Sequence, residues 1–188
     1  LYEWVNTIEN TSEQPSGILS EIWDCDVELP IGHEETPTSS AYIPDLGTVT
    51  KIDAPVGSTW GEKEFCCNVD EMDNRRRLHH ISPGETQTVK TSGGRSSDAH
   101  APFFGIGKEQ QGYVAAIGWT GQWLAEFGRT NDSVTIRTKI EDSCFRLLPG
   151  EKVRTSSVML MPYHGSREDA HNRWRRFIRE AVSPLGRN

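Results

Sequence analysis

The stretch Leu19-Ser20-Glu21-Ile22-Trp23-Asp24-Cys25-Asp26-Val27-Glu28-Leu29 decides the fold class. Leu19, Trp23, Cys25, Val27 and Leu29 share one parity, with Glu21 out of keeping, and Ser20, Asp24, Asp26 and Glu28 on the other parity are polar. Successive side chains of an extended chain point to opposite faces, so this alternation predicts a strand with one buried face and one wet face. On that reading Asp24 and Asp26 are solvated surface carboxylates.

Period two recurs on either side of this stretch. Residues Leu1 to Ile8 are rich in β-formers and read as a strand. Val134, Ile136 and Ile140 alternate with Thr135, Arg137 and Lys139, a second one-sided strand. Tyr113-Val114-Ala115-Ala116-Ile117-Gly118-Trp119 is apolar on both parities, which predicts a central strand covered on both faces. Cys144 to Leu148 and the residues from Val153 onward read as two strands joined through the turn Pro149-Gly150-Glu151, and Val158 to Met161 as a further short strand. Residues 30–48, with Pro30, Gly32, Pro37, Pro44 and Gly47, and residues 91–98, Thr-Ser-Gly-Gly-Arg-Ser-Ser-Asp, are connections by composition.

One helix is expected, near the C-terminus. Ser166 is followed three residues later by Asp169, a capping-box spacing whose acidic side chain suits a helix N-terminus. Ala170, Trp174, Phe177, Ile178 and Ala181 then form one apolar stripe, with the arginines mainly opposite and Pro184 as the stop. The stripe must bury Trp174 and Phe177 against the sheets or against whatever follows. The fold class is therefore all-β: two large antiparallel sheets packed face to face, with one C-terminal α-helix.

The 188 residues suffice for one sizeable domain. The net charge of −7 repels phosphate backbones and argues against a nucleic-acid partner. Residues 1–53 carry eleven acidic side chains against Lys51 alone, whereas Arg167, Arg173, Arg175, Arg176, Arg179 and Arg187 crowd the C-terminus. These arginines read as a solvated helix face or as ion pairs to the acidic remainder. No apolar run approaches the roughly 20 residues of a membrane span. Cys25, Cys66, Cys67 and Cys144 read as free thiols of a reducing, cytoplasmic compartment. The chain opens on Leu1 rather than Met, which leaves room for native residues ahead of it. Cys66-Cys67 and His79-His80 are the candidate metal ligands, but neighbours on a strand face opposite ways, so no metal site is expected.

Six tryptophans stand out, densest in Gly118-Trp119-Thr120-Gly121-Gln122-Trp123. An aromatic face stacks on the C–H groups of a pyranose, and glycines beside Trp119 permit close approach of a ligand or of another backbone. Trp119 and Trp123 fit two roles on these grounds, sugar contact or core. No catalytic residue is assigned: carboxylates are plentiful, but none is set at the end of an apolar strand where burial would tune it. Ser96, Ser97 and His100 lack a G-x-S-x-G elbow. Gly93-Gly94-Arg95 lacks the Lys-Ser/Thr and following helix of a phosphate loop, and no cofactor is expected.

Four segments in order carry a resemblance. They are Gly94-Arg95-Ser96-Ser97 with Pro102-Phe103-Phe104, Ile117 to Trp123, Leu148-Pro149-Gly150-Glu151 with Arg154-Thr155, and Asn172 with Trp174-Arg175-Arg176-Phe177. Together with Trp4 to Asn10 and Ile18-Leu19, they resemble the N-terminal domain of α-galactosidases of glycoside hydrolase family 36. The resemblance implies a galactose-mutarotase-like β-supersandwich over residues 1–163. Residues 164–188 would then be a linker helix leading toward a (β/α)8 barrel that carries the two catalytic aspartates. It further implies a non-catalytic role for this chain, a parent reaction of terminal α-galactoside hydrolysis, and, as partners, a galactoside or other carbohydrate, the barrel and a homo-oligomer. On this chain the sugar contacts would be Trp119, Trp123 and Arg95, whose planar fork of donors suits hydroxyls, although Arg95 also suits an ion pair to the barrel. A stand-alone carbohydrate-binding module and a structural or oligomerisation domain are the alternatives. Residues 61–80, with Cys66-Cys67 and Arg75-Arg76-Arg77, depart from the family pattern.

Overall fold

The computed structural model describes residues 1–30, 50–55, 76–98, 100–108 and 110–184. The strands are β1 Tyr2–Trp4, β2 Thr7–Glu9, β3 Leu19–Ser20, β4 Trp23–Pro30, β5 Thr50–Pro55, β6 Arg76–Ile81 and β7 Thr86–Lys90. They continue as β8 Phe103–Lys108, β9 Gln111–Gly118, β10 Trp123–Arg129, β11 Ser133–Ile140, β12 Cys144–Phe145, β13 Lys152–Arg154 and β14 Ser157–His164. Helix α1, Arg167–Phe177, follows and widens into a π-helical turn at Ile178–Val182.

The strands build an all-β fold. One sheet has six strands in the order β1-β14-β9-β8-β5-β6, and the other has four in the order β4-β11-β10-β7. Two ribbons, β12-β3 and β13-β2, complete it. Every pairing among the described residues is antiparallel. The main core lies between the two sheets. Ile52, Phe104, Ile106, Tyr113, Ala115 and Ile117 enter it from one side, and Val89, Trp123, Ala125, Phe127, Val134 and Ile136 from the other. Phe104 meets Trp123 and Phe127 edge to face, with ring centroids 5.4 and 5.2 Å apart, a geometry that the ring quadrupoles favour.

β9 is the central strand that its two-sided apolar pattern predicts. Tyr113, Ala115 and Ile117 point into the main core, while Val114 and Ala116 point outward beneath α1. The helix covers them with Ala170 and Trp174, so a second, smaller apolar cluster forms on the outer face of the six-stranded sheet. Trp174 stacks on Phe177 at 5.5 Å and lies 6.0 Å from Phe103. Ser166 and Asp169 close the expected capping box: Asp169 N donates to Ser166 Oγ at 3.2 Å, and Ser166 N donates to Asp169 Oδ2 at 2.9 Å.

Two expectations are corrected. The strand over Leu1 to Ile8 is two strands, since β1 pairs with β14 and β2 pairs with β13. The turn at Pro149-Gly150-Glu151 joins β12 and β13 as expected, and each of these strands pairs elsewhere, β12 with β3 and β13 with β2. The stretch from Leu19 to Leu29 breaks at Glu21, the residue out of parity, whose φ of 56° is left-handed. Within it Asp24 is buried, at 2% exposure, instead of solvated. The β4–β11 register slips between Thr138 and Lys139, with Thr138 opposite Cys25 and Lys139 opposite Trp23, so Asp24 is the extra residue of a bulge. Its carboxylate accepts from Ser156 Oγ, and its carbonyl accepts from Asn6 Nδ2 at 2.8 Å.

Asp26 is exposed as expected. Cys25 is buried in the core, and its thiol is pushed up to about 12, by burial first and by Asp26 and Asp24 in addition. Cys66, Cys67, Arg75 and the side chain of His79 lie outside the described residues. Among the described residues no His, Cys, Asp or Glu cluster could hold a metal ion. No helix among them is long and apolar enough to cross a membrane.

Candidate functional site

Two loops at one end of the sandwich bring the sequence candidates together. Residues 91–102 connect β7 to β8, and residues 119–122 connect β9 to β10. Gly93 and Gly94 carry φ values of 64° and 71°, the left-handed region that glycine enters without a Cβ clash. They turn the first loop back so that Arg95 N donates to Ser92 O at 3.3 Å. Ser96 then fastens this loop to the second: its Oγ donates to Trp119 O at 2.5 Å, and its carbonyl accepts from Trp123 Nε1 at 2.8 Å. Gly94 N donates to Gln122 Oε1 at 3.1 Å, a further tie.

The three candidates occupy different depths. Arg95 is the outermost, with a side chain 52% exposed and its guanidinium 3.7 Å from Asp98 Oδ1. An exposed pair at that separation contributes little to stability. Trp119 is half-buried and packs on the margin of the main core. Trp123 is fully buried, and its ring packs against Phe104. The glycines have internal tasks: a Cβ on Gly121 would stand 2.7 Å from Trp119 Nε1, and one on Gly118 would stand 2.1 Å from Ser157 Oγ. Close approach is thus used by Trp119 itself and by β14.

A polar chain missed in the sequence joins the feet of these two loops, which together are called the plate below. Glu141 accepts from Lys90 Nζ at 2.9 Å and from Gln122 Nε2. Burial pushes the Glu141 carboxyl up, but the bonds from Lys90 and Gln122 outweigh it, and the group sits below the usual carboxylate range. Asp98 accepts from Ser92 Oγ at 2.6 Å, which fixes the carboxylate beside Arg95. Asp98 has a local signal, three residues after Arg95. Gln122 and Glu141 have none, because the β10–β11 hairpin brings them together.

Arg95, Asp98 and the half-buried Trp119 thus lie on two loops that Ser96 and Gln122 tie together. The Ser96 hydroxyl is already donating to a backbone carbonyl, and His100 is buried at 7% exposure.

No protein-family model and no curated protein matches the sequence. Solved structures do match in fold. The α-galactosidase from Lactobacillus brevis aligns with 93% of this chain at a TM-score of 0.64 and 15% identity, using 21% of its own length. The glycoside hydrolase family 36 α-galactosidase AgaA from Geobacillus stearothermophilus aligns with 85% of this chain at 0.59 and 18% identity, using 20% of its own. The galactosidase domain of the α-galactosidase–sucrose kinase AgaSK aligns with 87% at 0.60 and 12% identity. The likeness is one of fold, and this chain spans about a fifth of the length of each of these structures.

Proposed function

We propose that this chain is a non-catalytic β-sandwich domain of an α-galactosidase-like glycoside hydrolase. In this reading it lies ahead of the barrel, α1 leads toward that barrel, and the parent protein hydrolyses terminal α-galactosides by a retaining, two-carboxylate route. The supporting observation is the fold likeness, which takes in 85% to 93% of this chain but only about a fifth of each α-galactosidase chain. Most of each of those proteins, on this reading the catalytic part, thus lies outside the matched region.

The test has two arms. The purified chain incubated with 4-nitrophenyl α-galactoside is expected to release no nitrophenol. The reading frame beyond residue 188 is expected to encode alternating β/α units. Turnover by the chain alone overturns the reading, and so does a native stop codon at residue 189.

A second reading is carried by the Arg95–Trp119 plate: carbohydrate binding by this domain itself. Trp119 and Arg95 would touch the sugar, and Trp123, its ring in the core, would hold the Ser96 carbonyl beneath them. Isothermal titration with galactose and raffinose checks it. Binding heat that is lost in Trp119→Ala and Arg95→Ala supports it, and no heat with the native chain removes it.

A further inference from the structure

Two titratable side chains meet beneath α1, outside the plate. His171 on α1 and Asp53 on β5 are 8% and 3% exposed, and His171 Nε2 lies 3.5 Å from Asp53 Oδ2. Ile52 and Ile106, paired in register, point into the main core, so their neighbours Asp53 and Gly105 point to the outer face. Gly105 opposes Asp53 and places no side chain between the carboxylate and the helix. His171 therefore reaches across β8, where its ring meets Phe103 edge to face at 6.2 Å, to a strand beyond those that the helix mainly covers.

The apolar support of α1 is small and separate. Ala170 and Trp174 are its buried apolar residues, and their cluster with Val114, Ala116 and Tyr163 is distinct from the core between the sheets. Beyond Phe177 no residue of the π-helical turn is buried, and Ile178 and Val182 are 37% and 52% exposed. Removing α1 would uncover the outer face of β9 and β14 while leaving every strand pairing and the inter-sheet core in place. Elements with these properties open locally at a lower free energy than the global transition.

We propose that α1 is a latch that lifts from the six-stranded sheet as a unit while the sandwich stays folded, with Asp53–His171 as its catch. A buried, paired carboxylate and imidazole tie the helix to one position, because sliding it separates the two groups within an apolar setting and lifting it breaks the pair. The latch stands whether or not a catalytic barrel follows α1. If one does, the catch sets where that barrel is held.

Hydrogen exchange of the native chain, followed by mass spectrometry, tests the idea without any substitution. Amides of α1 are expected to exchange at least ~tenfold faster than those of β9 and β14, and without joining their slow global phase. Asp53→Asn and His171→Gln should each speed α1 exchange by a further ~tenfold or more, leave β10 and β11 unchanged, and show no added effect when combined. Exchange of α1 in step with the sheet overturns the latch. Single-variant effects that simply add overturn the catch. If either variant unfolds the whole chain, the helix is integral to the sandwich, and the proposal fails.

Discussion

Trp123 donates its indole N–H to Ser96 O and packs edge to face on Phe104, whereas Trp119, four residues earlier, keeps part of its ring at the surface. Trp123→Ala should therefore cost about 3–5 kcal/mol, the range for emptying a buried aromatic site, while Trp119→Ala should cost about 1 kcal/mol. Urea unfolding of the two variants decides it, and equal losses would contradict the assignment. The sequence pattern left the two tryptophans alike, and the structure separates them, because Trp123, Ala125 and Phe127 share the buried parity of β10. Asp24 was not readable, since a bulge is a property of two paired strands and one strand's alternation does not contain it. Burial pushes the Asp24 carboxyl up, with Ser156 pulling it partly back. Between the ordinary carboxylate value of about 3.9 and this raised value, the folded protein keeps a proton that the unfolded chain has released. That stabilisation is complete below the unfolded value and is lost as pH rises through the folded one. Asp24→Asn removes this contribution, so the variant's stability should fall less than the native protein's as pH rises from about 4. Identical slopes in denaturant titrations above that pH would refute the link.

The β8–β9 hairpin depends on two facing glycines. Gly107 and Gly112 are register partners, and a Cβ on Gly112 would stand 2.1 Å from Ile106 O. Backbone cannot yield as a flexible side chain does, so Gly112→Ala should cost about 3 kcal/mol or more, by shifting the central strand. Gly17, with open space around its Cα, is the control, and Gly17→Ala should change stability by less than about 0.5 kcal/mol. Thermal melts of the pair check this, and a neutral Gly112→Ala would mean that the hairpin is looser than its contacts imply. Strands and helix differ in how plainly the sequence announces them. The α1 cap was legible because Ser166 and Asp169 are local partners, and β9 because both its parities are apolar. The separation of β1 from β2 was not, since short edge strands take their bounds from their neighbours.

At the scale of the molecule the two ends of the chain close the fold. β1 is the edge strand of the six-stranded sheet beside β14, and β2 pairs with β13. Asn6 N donates to Thr155 Oγ1 at 3.0 Å, and Thr155 N returns a bond to Asn6 O at 2.9 Å. Asn10 N donates to Glu151 O at 3.0 Å, and Gly150 N donates to Asn10 O at 2.8 Å, so the Pro149-Gly150-Glu151 turn serves as an anchor for the N-terminal segment. Alternation and turn residues gave the fold class and the number of layers, but period two carries no partner identity. The pairing of first strands with last therefore lay beyond the sequence pattern, as did the meeting of the two loops that form the plate. Deleting residues 1–9 would strip the edge from β14, remove Trp4 from the margin of the core and leave Thr155 and the Asp24 carbonyl without their Asn6 bonds. A Trp side chain half withdrawn from water and several part-buried hydrogen bonds together amount to about 3 kcal/mol. For a domain of this size that lowers the melting temperature by roughly 6–12 °C. Because α1 rests on β9 and β14 instead of on β1, its helical signal should survive the deletion. Calorimetry with far-ultraviolet circular dichroism checks both parts, and an unchanged melting temperature would mean that the N-terminal strands decorate the sandwich without closing it.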